Sequence, residues 1–103
     1  MTSIEMVQIF FRVEKRLRQH SDRQPALRAV LALAVDAEGG ATTAGGLSRL
    51  LDLTSGATTR ILDQLEELRW AARDEDPSDR RKVCVRLTDR GWRKAQDILD
   101  NLI

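Results

Sequence analysis

The sequence has one cysteine, Cys84, one histidine, His20, and two prolines. A single thiol excludes an internal disulfide and any Cys-based zinc site. A lone His with no Cys or His clustered near it gives no reason to expect a metal. No run of apolar residues approaches 18, so no membrane span is expected. No basic leader followed by an apolar stretch is present, so no signal peptide is expected, and a cytoplasmic location follows. No nucleophile–base pair stands out. Gly39-Gly40 and Gly45-Gly46 do not follow a strand and are not followed by the Lys that a phosphate loop needs. No catalytic residue, no cofactor and no enzyme activity are therefore expected. Nor is there an excess of one charge: 17 Lys and Arg meet 16 Asp and Glu, for a net +1. That balance argues at first against nucleic acid, whose binding domains are usually basic.

What is present modifies that objection. At 103 residues with 42% hydrophobic content, the chain reads as a single globular domain, residues 1–103. Its charge is unevenly laid out. Residues 1–30 sum to +3, 31–54 to −2, 55–94 to +2 and 95–103 to −2, with a tight basic run at Arg80-Arg81-Lys82. A near-zero total thus hides two basic blocks.

Apolar spacing gives the elements. Met6, Phe10, Val13 and Leu17 recur at helical spacing over 3–19 and predict an amphipathic helix with a core stripe. Phe10-Phe11 makes its apolar surface wider than one face needs, which also suits a partner-helix interface. Pro25 starts a second helix over 25–37 that is apolar from Ala29 to Val35, hence buried, and Gly39-Gly40 ends it. A short helix over about 44–51 and a tight turn at Asp52-Leu53 follow. Thr54 then caps a helix over 55–68. Its inner face is Thr58, Ile61, Leu62, Leu65 and Leu68. Its outer face is Gly56, Ala57, Thr59, Arg60, Asp63, Gln64 and Glu67. A strand at 71–75, a turn at Asp76-Pro77-Ser78-Asp79 and an alternating strand at Val83, Val85 and Leu87 make a hairpin. Cys84 falls out of phase with those three. Thr88 caps a last helix carrying Trp92, Ala95, Leu99 and Leu102 on one face, with Ile98 and Ile103 beside it. No repeat or low-complexity segment appears.

A short helix turned into a longer one is a helix-turn-helix, here residues 43–69, and the hairpin after it, 71–87, makes a wing. The fold class expected is mainly α, a winged helix-turn-helix with about five helices and a two- to three-stranded wing. Read together, Thr43, Leu47, Leu51, Leu53-Thr54, Thr59-Arg60, Leu65-Glu66, Arg73, Asp76-Pro77, Asp79-Arg80-Arg81, Val83, Val85-Arg86-Leu87-Thr88 and Gly91 resemble the MarR family of bacterial transcription regulators. The Asp-x-Arg wing motif followed by Leu-Thr-x-x-Gly is the more specific part; a helix-turn-helix alone is common. The sequence departs from the family at two turns, where Asp52 and Arg69 stand in place of the usual Gly. It also has a short stretch after the wing.

The resemblance implies a sequence-specific regulator of double-stranded DNA, a repressor, with named residues in contact. The start of the recognition helix offers Ser55, Gly56, Ala57, Thr59 and Arg60 to the major groove, with Arg60 its one long donor in the first two turns. At the wing, Arg81 reaches the minor groove, Asp79 holds it extended, Arg80 and Lys82 meet phosphate, and Arg73 at the wing base is a further phosphate contact. The resemblance also implies a homodimer built from helices 3–19 and 88–103, through Phe10, Phe11, Leu17, Trp92, Ile98, Leu102 and Ile103. Family members bind small aromatic ligands between the dimer region and the winged helix. With the last helix short, no ligand is predicted here and any effector is left unknown. The rival reading is a winged-helix protein-interaction module that has lost DNA binding.

Overall fold

The computed structural model describes residues 1–19, 23–76 and 78–100. The elements run α1 (Ser3–Arg18), α2 (Gln24–Val35), a 3-10 turn (Glu38–Gly40), β1 (Ala41–Thr43), α3 (Ala44–Leu51), α4 (Ser55–Glu67), β2 (Ala71–Asp76), β3 (Asp79–Leu87) and α5 (Asp89–Asp100). Five helices and a three-stranded antiparallel sheet make a winged helix. The lone His20, Pro77 of the expected turn, and Leu102 and Ile103, given to the dimer interface, lie outside the described residues.

The centre is α2. Pro25 sits in its first turn, where the missing N–H leaves no bond unmade. Ala26, Leu27, Ala29, Val30 and Leu33 are all buried. Against them pack Leu47 of α3, Ile61, Leu62 and Leu65 of α4, Val85 and Leu87 of β3, and Ala95 and Ile98 of α5. The apolar run read from sequence thus sits at the crossing of every other layer. α2 ends at Val35 rather than 37, because the chain tightens into the 3-10 turn, where Gly39 and Gly40 hold φ of 61° and 71°.

β3 is the middle strand, in the order β1-β3-β2, with both pairings antiparallel. β1 is only three residues long and was not expected as a strand. Its pairing sets Thr42 opposite Val85, far along the chain. That pairing fixes the start of α3 to the root of the wing. Alternation along β3 buries Val85 and Leu87 and leaves Arg86 exposed.

The expectation of a core stripe along the whole of α1 is corrected. Leu17 is buried and Val13 half-buried, but Met6 and Phe10 are exposed. Among the described residues, the α1 side chains that join the core, Val13 and Leu17, lie in its C-terminal half. There Glu14 accepts two bonds from the Arg28 guanidinium of α2, at 2.8 and 2.7 Å. The rest of α1 carries Ile4, Val7, Phe10 and Phe11 into solvent.

Candidate nucleic-acid interface

The turn between α3 and α4 is built from local chemistry. Asp52 adopts a left-handed conformation, φ 54°, which Asp tolerates better than most residues. This lets the Leu53 N–H reach the Ser48 carbonyl at 3.0 Å and closes the end of α3. Thr54 then caps α4, its hydroxyl accepting from the Ala57 N–H at 3.2 Å. Between the two helices, the Ser48 hydroxyl donates to Thr58 Oγ1 at 2.8 Å, and Thr58 donates on to the Thr54 carbonyl at 2.9 Å. Thr58 is a fully buried polar residue in an apolar layer. Its two bonds fix how the second helix leaves the first.

That crossing turns one face of the α4 N-terminus outward. Ser55, Gly56, Thr59 and Arg60 are exposed and Ala57 is half-exposed. A side chain at Gly56 would meet open space among the described residues. The first turn of α4 carries no acidic residue, so the partial positive charge of the helix start is not cancelled. Acids begin only in the third turn, at Asp63, Glu66 and Glu67. The five residues expected at the major groove are therefore brought together on one exposed surface.

The wing is the β2–β3 hairpin. Lys82 is exposed, and Asp79 starts β3 opposite Asp76. Arg80 and Arg81 lie on β3 by their backbone. The side-chain roles expected of them fall outside what the structure describes. Arg73, expected to meet phosphate, has its guanidinium engaged within the chain. Nε donates to Glu66 Oε1 at 2.5 Å and Nη2 to Asp63 Oδ1 at 2.7 Å, both on α4. Those bonds, Glu66 first, push the Arg73 pKa further up. Further along, Arg86 pairs with Asp74 across the strands at 3.1 Å.

At the wing root the Leu-Thr-x-x-Gly motif has a structural explanation. The Thr88 hydroxyl donates to the Arg69 carbonyl at 2.6 Å and accepts from the Gly91 N–H at 3.1 Å. A Cβ at 91 would collide with the Trp70 carbonyl oxygen, so α5 can pass this close only with Gly there. Thr88 and Gly91 thus staple the start of α5 to the turn that leaves α4.

The model of the MarR family matches residues 23–82, from the start of α2 into the wing. The chain belongs to the MarR family. Two curated relatives agree, both uncharacterized HTH-type transcriptional regulators of Bacillus subtilis (strain 168). YcgE is 42% identical over 48 residues, covering 47% of this chain and 31% of its own length. YkoM is 48% identical over 44 residues, covering 43% and 28%. The matched stretch thus spans less than a third of either relative. Among solved structures, the transcriptional regulator Tm0710 from Thermotoga maritima superposes with a TM-score of 0.76 at 21% identity, covering 94% of this chain and 66% of that one. Apo MarR from E. coli gives 0.70 at 21% identity, covering 95% and 74%. At that identity the likeness is one of fold.

Departures from the MarR pattern can now be placed. Both turn positions that lack the usual Gly are left-handed: Asp52 at φ 54° and Arg69 at φ 62°. Each thus holds a left-handed conformation that strains a residue with a Cβ. Of the residues expected at a MarR-type dimer interface, Phe10 and Phe11 are 58% and 62% exposed. Leu17 and Ile98 are corrected: at 2% and 3% exposure both are buried in this chain's own core. Their apolar surface is taken up by neighbours within the chain. Trp92 is exposed, at 40%, although its ring lies where a side chain at Gly40 would otherwise go. An open groove of about 510 Å³ lies between α1 and the α2–α3 pair, lined by Phe10, Val13, Leu31, Leu50 and Leu99, with Arg28 at its edge.

Proposed function

We propose that this MarR-family chain is a sequence-specific double-stranded DNA-binding regulator that acts as a repressor. The start of α4 enters the major groove, with Arg60 reaching a base edge or phosphate and Ser55, Gly56, Ala57 and Thr59 allowing close approach. The wing tip lies over the minor groove, with Arg81 inserted, Asp79 supporting it, and Arg80 and Lys82 on phosphates. A homodimer formed through the exposed face of α1 sets two such units on a pseudo-palindrome, half-sites about one helical turn apart. The observation that carries the reading is the acid-free, exposed first turn of α4 on a helix-turn-helix flanked by a wing.

The test is selection of bound sites from random duplex DNA, read at 50 and 200 mM salt. The expected outcome is a two-fold-symmetric site and a loss of about 10³-fold in affinity between the two salts, for six or more phosphate contacts. Arg60→Ala and Arg81→Ala should each weaken binding. A salt-insensitive interaction, or binding untouched by both substitutions, would instead support the protein-interaction reading.

A further inference from the structure

Arg73 is the residue whose structural partners differ most from its expected role. It lies on β2, paired in register with Val85 of β3, away from the wing tip. Its guanidinium spans two carboxylates of α4, Asp63 and Glu66, three residues apart on one helical face. The planar fork of Arg suits such a double contact, which the point charge of Lys would not reproduce. A phosphate would have to compete with both carboxylates for the same donors.

The position of this clamp matters because of how the wing is held elsewhere. A two-stranded ribbon is only marginally stable alone and twists readily. Thr88 and the pairing of β1 with β3 fix this ribbon at its root, and beyond Cys84 only β2 and β3 continue. Arg73, at the wing base opposite Val85, adds a further tie from β2 directly onto α4. It also neutralises part of the acidic patch that follows the DNA-facing turn of α4.

We propose that Arg73 is a positioning residue that sets the angle between the wing and α4, and so governs DNA affinity through the wing tip without touching DNA. This rests on the DNA-binding reading above. The test is a double-mutant cycle of Arg73→Gln and Arg81→Ala, with the pair Asp63→Asn/Glu66→Gln as a second route to the same loss. Arg73→Gln should weaken specific binding about tenfold, the order lost with a charged hydrogen-bonded pair. The slope of affinity against salt should stay unchanged. The double variant should bind about as weakly as the worse single variant, because a misaimed wing no longer gains from Arg81. The Asp63→Asn/Glu66→Gln pair should also bind more weakly, although it removes negative charge from the DNA side. Three results would overturn the proposal: a salt slope lower by about one, as for a lost phosphate contact; tighter binding by the carboxamide pair; or losses that simply multiply, as general destabilisation would give. Residual dipolar couplings of the free protein supply a readout independent of DNA. The wing must reorient relative to α4 in Arg73→Gln, and an unchanged angle refutes the proposal even if no DNA site is found. Failure of wild type to bind any duplex would instead count against the functional reading alone.

Discussion

At the scale of single residues, the recognition helix is bracketed by two backbone positions that most side chains avoid, Asp52 before it and Arg69 after it. Asp accommodates the left-handed region comparatively well, whereas Arg has no such advantage. Arg69→Gly should therefore stabilise the fold by about 0.5–1 kcal/mol, after allowing for the extra freedom glycine gives the unfolded chain. Urea unfolding checks it, and an unchanged or lower midpoint counts against the strain. The two positions were visible in the sequence as places where a turn called for Gly and had none. Their conformation was not, because either a strained turn or a different turn would have satisfied the pattern. Likewise Thr88 and Gly91 could be read as a motif, but the carbonyls of Arg69 and Trp70 that explain it come from about 20 residues earlier in the chain.

At the scale of elements, α3 and α4 meet through one short polar bridge, Ser48 to Thr58 to the Thr54 carbonyl. Thr58→Val keeps the shape and removes both bonds. It should cost about 1 kcal/mol in stability, read by chemical denaturation, and an undiminished stability would mean the bridge is dispensable. The inner and outer faces of α4 were legible because a 3.6-residue period sorts them directly. Thr58 itself was placed on the inner face, though its bonding was not foreseen. β1 was invisible for a different reason. Three residues are too few to show a period of two, and their partner strand lies more than 40 positions away. The Arg73 clamp is a similar case, since nothing in sequence spacing tells a guanidinium at a wing base whether it faces phosphate or carboxylate. α1 shows the limit of periodicity from the other side. Its stripe was read correctly as apolar, but a core stripe and an interface stripe share one spacing, and only the packing of α2 separates them.

For the whole molecule, the charge blocks and the exposed α1 face belong together. An unpartnered helix surface with Phe10 and Phe11 in water is costly for a lone chain. If a second copy covers it, Phe10→Asp combined with Phe11→Asp should give a monomer by sedimentation velocity and abolish the dependence of melting temperature on concentration. An unshifted sedimentation coefficient would refute that interface. The base of α1 adds a pH response. The Arg28 guanidinium, hydrogen-bonded to Glu14, holds that carboxyl below its ordinary range. A depressed folded-state pKa contributes stability that is complete at neutral pH and fades as pH falls through the folded value. The gap in urea midpoint between wild type and Glu14→Gln should therefore narrow on acidification below the usual carboxylate range, and a constant gap would exclude the pair as its source. The modest net charge, finally, leaves little for non-specific attraction, so discrimination must come from fit.

Gly56 gives that last point a practical form. This exposed position at the start of α4 faces open space among the described residues, on a scaffold whose caps, bridge and core lie elsewhere. Nearly any side chain could be installed there without disturbing the fold, and helix propensity would favour most of them over Gly. If α4 enters the major groove as proposed, a library at this one codon should alter sequence preference or close off the approach to DNA, with the fold left intact.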